Sequence, residues 1–165
     1  MAANPAPVIA SPVVRPIALD DAPEILEMWR EFTAHLRSLG DETEFSFDDA
    51  AYRENGFGPH RMFDGIVAHV GDEPAGYLLY HFSYDIDRAT RLLYIIELWV
   101  RPAMRRHGIG RLLIAETSRI ASEFSAHRLV WCVHNANRPA FDFYASLGAD
   151  HVTDYTWMYL PAIPG

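Results

Sequence analysis

The chain contains 165 residues, of which 50% are hydrophobic and 22% are charged, and its formal net charge is −8. This length suffices for one domain with a substantial core, and the acidic balance argues against nonspecific nucleic-acid binding. No apolar run approaches the roughly 20 residues needed to span a bilayer, and the single Cys132 excludes an intrachain disulfide and fits a reducing, cytoplasmic compartment.

The first part of the chain predicts a tail, a short strand and two helices. Residues 1–12 are rich in proline and lack a basic segment, which predicts a disordered tail rather than a signal peptide, and a strand follows over Val13–Ile17. One residue of the Asp20–Asp21 pair is expected to cap the first helix. Apolar residues recur there at helical spacing until Gly40, namely Ile25, Met28, Trp29, Phe32 and Leu36. A shorter helix is predicted over 46–55.

Strands dominate the middle of the chain, and helices alternate with strands after it. Segments 62–70 and 75–84 predict two antiparallel strands around a Gly-Asp-Glu-Pro turn, and an apolar strand follows over 92–100. The remaining predicted elements are a helix over 109–126, a strand over 128–134, a helix over 139–147 and a strand over 151–160. No repeat or change in composition marks a second domain.

The junction between strand 92–100 and the next helix is the most informative segment. Helix N-termini present unpaired N–H groups and a partial positive charge, so they bind pyrophosphate readily. Gly108 and Gly110 allow close approach of the backbone, and Arg105, Arg106 and Arg111 add positive charge. A P-loop would require Lys after the last glycine, and a dinucleotide-binding motif would require a third glycine, so neither motif is present.

A second motif carries a tyrosine at helical spacing. Between Asn137 and Gly148 the chain has the pattern N-x-x-A-x-x-h-Y-x-x-x-G, where h is apolar. Ala140, Phe143 and Tyr144 share one helix face, so a turn that buries Phe143 also directs Tyr144 to the same side. A phenol within hydrogen-bond reach can protonate a leaving thiolate. The alternative is a core tyrosine with a satisfied hydroxyl.

These two motifs together resemble the signatures of the GNAT N-acetyltransferases: R-x-x-G-x-G after V-x-P, and the tyrosine helix. The resemblance implies one α/β (α+β) domain over 13–165, in which helices flank a mixed, mostly antiparallel sheet with a splayed strand pair at the acetyl-CoA site. It implies acetyl-CoA as co-substrate, Tyr144 as general acid and Asn137 as a ligand of the pantetheine arm. The implied cofactor contacts are Leu98, Trp99, Val100, Arg105, Arg106, His107, Gly108, Ile109, Gly110, Arg111, Asn137, Phe143 and Tyr144.

Four segments also resemble the diamine branch of this family, whose members acetylate polyamines, diamines or thialysine. They are residues 17–26, 54–60, 76–85 and 92–100. This resemblance implies a small primary amine as acceptor and a homodimer. The mammalian polyamine enzymes carry two adjacent acids in the strand before the cofactor loop, whereas this chain has Ile96 followed by Glu97, so polyamine specificity stays open. A protein amine as acceptor and a non-catalytic acyl-CoA sensor are the two other hypotheses.

Glu97 is the expected base for this chemistry. A primary amine with a pKa near 10 must lose a proton before it attacks. Desolvation in an apolar strand raises the pKa of a carboxyl towards a useful value. Strand alternation predicts that Ile95, Glu97 and Trp99 share one face, and backbone N–H groups around Leu98–Val100 can stabilise an oxyanion. A structural ion pair is the alternative role for Glu97.

The acceptor pocket is expected to involve residues near the end of the preceding strand. Tyr84 and Asp85 are candidates there, with Asp85 either binding a distal ammonium or stabilising a turn, and His81 and His60 lie in the segments that resemble the diamine branch. Cys132 predicts an inert buried thiol rather than an acyl-enzyme nucleophile. The histidines show no metal-ligand pattern, so no metal is predicted. Apolar residues for a dimer contact or for the core are Trp29, Phe45, Phe47 and Trp157.

Overall fold

A single five-stranded sheet organises the computed structural model, which describes residues 10–154, 156–158 and 160. The strands, in both chain order and spatial order, are β1 (Pro12–Pro16), β2 (Asp64–Val70), β3 (Glu73–Asp85), β4 (Thr90–Val100) and β5 (Ala126–Val130). The pairs from β1 to β4 are antiparallel, whereas β5 runs parallel to β4. This mixed, mostly antiparallel sheet confirms the predicted fold class.

The α-helices of the described residues are α1 (Ala22–Ser38), α2 (Asp49–Phe57), α3 (Ile109–Glu123) and α4 (Arg138–Ala145). Helices α1 and α2 pack on one face of the sheet and α3 on the other, and Phe143 of α4 lies against the start of α3. The α1/α2 face is the side of the sheet whose core contains Ile25, Met28, Tyr52, Val67, Tyr77, Leu79 and Trp99. The α3 face is the opposite side, whose core contains Ile66, Leu78, Leu93, Ile95, Ile109 and Leu113. These two cores bury the apolar side chains on both faces of the sheet.

A β-bulge in β4 reverses the side-chain alternation along that strand. Leu79 lies opposite Glu97 and Tyr80 lies opposite Ile95, so Ile96 is an extra residue without a partner on β3. Ile95 therefore faces the α3 core, whereas Glu97 shares the α1/α2 face with its partner Leu79. The expectation that Ile95 lies on the same face as Glu97 is wrong, because the inserted residue shifts the period by one position.

The terminal segments also differ from the expectation. The described residues of segment 151–160 form no strand, while Tyr155 and Tyr159 lie outside the described residues. An alternating pattern of side chains forms a strand only where a neighbouring strand is available for pairing. The described part of this segment pairs with no strand. Trp157 is exposed, with its ring 6.2 Å from that of Tyr94. Residues 1–9 of the predicted tail lie outside the described residues, and Pro12 already belongs to β1.

Asp21 joins the start of α1 to β1. Its carboxylate accepts hydrogen bonds from both terminal nitrogens of Arg15, at 2.6 and 2.8 Å, and from the N–H of Ala18 at 2.7 Å. Burial raises the pKa of Asp21, but the hydrogen bonds from Arg15 and Ala18 outweigh burial and leave this pKa below its ordinary value. Asp21 occupies the N-cap position of α1 without making the expected side-chain cap bond.

Replacement of Asp21 by asparagine is expected to lower the free energy of unfolding by about 2 kcal/mol, because the amide removes a buried charge partner of Arg15. The folded-state pKa is lowered, so this contribution is present above the ordinary carboxyl pKa of about 3.9 and is lost as the pH falls through the folded value. Urea unfolding at neutral pH and at low pH measures both effects. The matched control is Asp20→Asn, at an exposed neighbour, and equal losses in the two variants would contradict the expectation.

Candidate active site

The sheet opens between β4 and β5. These strands pair in parallel register from Arg91–Ala126 to Tyr94–Val130, where β5 ends. β4 continues to Val100, and no strand of the described chain pairs with its residues 95–100 on that side. We call this unpaired side of residues 95–100 the open edge of β4. It corresponds to the splayed strand pair that the family resemblance implies.

The open edge offers the backbone groups of Leu98 and Val100. The N–H of Arg101 donates to the carbonyl of Ala75 at 3.0 Å, beside the pair formed by Gly76 and Val100. Val100 is therefore in a non-hydrogen-bonded pair, so its N–H and C=O point away from β3, and the same holds for Leu98 two residues earlier. An edge of this kind can bind an extended amide chain, and its N–H groups can stabilise an oxyanion.

A loop with left-handed residues connects β4 to α3. Gly108 has φ +81° and Arg106 has φ +68°, and α3 begins at Ile109. The first N–H groups of α3 lack partners within the helix, so they are available to an anion. A Cβ on Gly110 would lie 3.1 Å from Cζ of Phe143, so this glycine lets α4 pack closely against the start of α3. This contact joins α4 to the first turn of α3, directly after the loop.

The three arginines of this loop region have different contacts. The Nε of Arg105 donates to the carbonyl of Val100 at 3.0 Å, and its guanidinium lies 4.6 Å from the ring centre of Trp99. Arg111 donates to the Oγ of Ser146 at 2.8 Å, near the end of α4. The side chain of Arg106 is exposed at the left-handed position of the loop. The three arginines therefore carry the same charge but have three different sets of contacts.

Glu97 lies beside the bulge, and burial raises its pKa well above the ordinary value of a glutamate. Its Oε1 atom is buried, and no described residue donates a hydrogen bond to it. The described part of the chain therefore offers no support for the structural ion pair. A buried carboxyl with a raised pKa has the property that a general base for an amine needs.

Tyr144 approaches the site from α4. Its ring lies 4.7 Å from that of Trp131, the residue that follows β5, and 5.1 Å from that of Phe143. Burial raises the pKa of Tyr144 to about 12, so the phenol keeps its proton throughout the neutral range. Asn137 caps α4, with its Oδ1 atom accepting from the N–H of Ala140 at 3.3 Å. The helix begins at Arg138, one residue before the predicted start, and ends at Ala145, two residues before the predicted end.

The candidates for the acceptor pocket are not all on the same side of the sheet. His81 follows Leu79 at a spacing of two, so it shares the face of Glu97, and its ring stacks on that of Tyr94 at 5.2 Å. Tyr84 falls on the opposite face by the same alternation and is 57% exposed.

Asp85 takes part in the turn after β3. Its carboxylate accepts from the N–H and the guanidinium of Arg88, at 3.2 and 3.1 Å. Burial raises the pKa of Asp85, and the hydrogen bonds from Arg88 outweigh it and lower this pKa overall. These contacts match the turn alternative for Asp85 rather than a free carboxylate waiting for a distal ammonium. His60 is exposed after α2.

Sequence reasoning missed the residues of α1 that surround Trp99. Its Nε1 donates to Oε2 of Glu31 at 3.1 Å, and its ring lies 5.8 Å from that of Phe32 and 5.6 Å from that of His35. Burial and the charge of Arg105 lower the pKa of His35. The spacing of four between Glu31 and His35, on a helix with a regular apolar stripe, was the only available signal.

Cys132 departs from its expected position. It follows the end of β5 and is exposed, and the hydroxyl of Tyr94 donates to its Sγ at 3.5 Å. The prediction of a buried mid-strand thiol is wrong, because β5 ends at Val130 where the sheet opens. Within the described ranges no group of three His, Cys, Asp or Glu side chains is arranged to hold a metal ion. No helix among the described residues has the length and apolarity to cross a membrane.

Comparison with known proteins places these features in context. The model of the acetyltransferase (GNAT) family matches residues 23–149 of this chain. A thialysine N-epsilon-acetyltransferase from Bos taurus is 30% identical over 150 residues, which cover 86% of each protein. An integron cassette protein of V. cholerae has a TM-score of 0.75 at 22% identity, covering 92% of this chain and 93% of the other. An aminoglycoside acetyltransferase from a soil metagenome has a TM-score of 0.72 at 21% identity, covering 91% and 97%.

Proposed function

Since this chain belongs to the GNAT acetyltransferase family and is therefore an acyltransferase, we propose that it transfers an acetyl group from acetyl-CoA to a primary amine of a small molecule. The transfer is direct, within a complex that holds both substrates. The observation that carries the proposal is Glu97: a buried carboxyl with an unpartnered oxygen, next to the open edge of β4. A protein that only bound acyl-CoA would have no use for such a base.

The residues around the open edge fit acetyl-CoA. The N–H and C=O groups of Val100 match the amide groups of a pantetheine arm, as a neighbouring strand would. The N–H groups of Gly108, Ile109 and Gly110, with the exposed side chains of Arg106 and His107 nearby, suit a diphosphate. Asn137 caps α4, and Phe143 lies against Gly110 at the start of α3, so both are candidates for contact with the arm. No metal is part of the proposal.

Each residue has a defined proton to hold or move. Acetyl-CoA supplies an activated thioester carbonyl. Glu97 accepts a proton from the acceptor ammonium, through a water molecule, and frees the nitrogen lone pair for attack on that carbonyl carbon. The N–H of Leu98, the residue after Glu97, stabilises the negative charge on the thioester carbonyl oxygen, whereas the groups of Val100 bind the arm. Tyr144 donates its phenolic proton to the sulfur as the C–S bond breaks. The nitrogen loses its second proton, which restores the phenol through solvent, and Glu97 releases the first proton to solvent. The products are the N-acetyl amine and the free thiol.

The acceptor class rests on the relatives and on the buried carboxyl of Glu97. The relative from Bos taurus is named for thialysine, an amino acid with a terminal primary amine. We propose a polyamine, a diamine or an amino-acid-like amine as acceptor, with Ile96 replacing the first of the two acids found in the polyamine enzymes. His81 is the candidate contact for the acceptor on the face of Glu97, whereas Tyr84 and Asp85 keep only a peripheral role. A homodimer in the cytoplasm completes the proposal, supported by the resemblance to the diamine branch.

The deciding experiment measures acetyl-CoA-dependent thiol release with a panel of amines. The panel contains spermidine, putrescine, thialysine, lysine, an aminoglycoside and a peptide with a free N-terminus. We expect strong turnover with one free amine and little with the peptide. The base, Glu97, is buried, so a compact amine reaches it more easily than a peptide does. Turnover of the peptide alone would favour a protein amine, and coenzyme A binding without any turnover would favour a sensor.

A further inference from the structure

Arg105 occupies an unexpected place beside the open edge of β4. Its Nε donates to the carbonyl of Val100 at 3.0 Å, and its Cζ lies over the ring of Trp99, 4.6 Å from the ring centre. The Val100 carbonyl is one of the groups that point into the splayed opening. A charged donor on this carbonyl strengthens the bond and fixes the orientation of the last peptide of β4.

Trp99 is itself held from the side of α1. Trp99 is 5% exposed, and its indole N–H donates to Glu31 at 3.1 Å. The second carboxylate oxygen of Glu31 lies 3.5 Å from Nε of Arg101, the residue after β4. Helix α1 thus positions the ring on which Arg105 rests. A stack of this kind requires the planar guanidinium, which a lysine ammonium does not reproduce.

We propose that Arg105 is a positioning residue that presents the Val100 carbonyl and the adjacent open edge to the pantetheine arm, and is not a ligand of the diphosphate. A carbonyl oxygen has two lone pairs, so Arg105 uses one and leaves the other for an amide N–H of the arm. Arg106, exposed at the left-handed position of the same loop, is the diphosphate ligand. This inference rests on the proposed use of acetyl-CoA.

The two roles predict different losses for two ligands that do not react. Coenzyme A contains the arm and the diphosphate, whereas pantetheine contains the arm alone. We expect Arg105→Met and Arg105→Lys to weaken the binding of both ligands by the same factor, about tenfold for one charge-assisted hydrogen bond. Lysine should fail to rescue, because it keeps the charge but not the planar donor. Calorimetry for coenzyme A and NMR titration for pantetheine measure these affinities.

The matched control is Arg106→Met, which is expected to weaken coenzyme A and leave pantetheine unchanged. The inference is overturned if Arg105→Met weakens coenzyme A alone, or if Arg105→Lys binds both ligands normally. Wild-type protein that binds neither coenzyme A nor acetyl-CoA would instead overturn the proposed function. Trp99→Phe, which keeps a ring but loses the bond to Glu31, is expected to add nothing to Arg105→Met, and additive losses would refute the link to α1.

Discussion

Replacement of Glu97 by glutamine is expected to lower kcat by about 10³-fold, the scale associated with loss of a positioned general base. Glutamine keeps the size of the side chain and removes only its ability to accept a proton. Oε1 accepts no hydrogen bond from any described residue, so the substitution breaks no contact that the structure shows there. Thiol release under saturating amine and acetyl-CoA measures the effect, and Glu54→Gln, at an exposed site on α2, is the matched control.

The pH dependence gives this prediction a second test. Burial raises the pKa of Glu97 in the folded protein, so the base form appears only as the pH rises through that value. Wild-type kcat is expected to rise over this range, and kcat of the variant is expected to stay flat.

The free energy of unfolding changes with pH in the opposite direction. A raised folded-state pKa stabilises the fold at low pH, and this contribution is lost as the pH rises through the folded value. The variant should therefore be more stable than wild type at alkaline pH. Full activity in a variant that has lost the rising limb would refute the role.

Replacement of Tyr144 by phenylalanine is expected to lower kcat by about 10²-fold, because the leaving thiolate loses its proton donor. The ring packing against Trp131 and Phe143 is retained, so the melting temperature and the affinity for coenzyme A are expected to stay close to wild type. The pKa of about 12 means that wild-type activity shows no alkaline decline from this group in the usual assay range.

The matched control for Tyr144 is Tyr80→Phe. Tyr80 is also buried, and burial raises its pKa as well, but it lies in the core of the α3 face. We expect Tyr80→Phe to retain turnover, so that a loss specific to position 144 reports on proton transfer. Normal turnover by Tyr144→Phe would show that the thiolate leaves without protonation by this residue.

The regular parts of the fold could be predicted because local periodicity dictates them. The apolar stripe of α1 and the glycine pattern before α3 follow from spacing alone, and both match the structure. The bulge at Ile96 has no signal in the sequence, because the extra residue is an ordinary apolar one. Only the pairing of β4 with β3 shows that the side-chain alternation changes there. For the same reason alternation along the sequence puts Glu97 on one face with Ile95, whereas the structure puts the two side chains on opposite faces.

The candidate site shows the same division. The sequence motif identifies Arg105, Arg106 and Arg111 only as a group of positive charges, because the sequence does not show which groups each side chain contacts. Their separate roles depend on what lies beside each one in space, such as the indole of Trp99, which is contributed by a different element. Cys132 illustrates the converse case. Its apolar neighbours indicate burial, yet the sheet opens two residues earlier and leaves it exposed.

The open edge of β4 also bears on how the protein behaves in storage and in concentrated solution. Unpaired strand edges are templates on which another chain can add a strand, and this is a common route to aggregation. A ligand that binds along the edge covers these groups and also stabilises the folded state by mass action. With coenzyme A as the proposed ligand of this edge, preparations depleted of it are expected to self-associate, and its addition during purification is expected to keep the protein monodisperse.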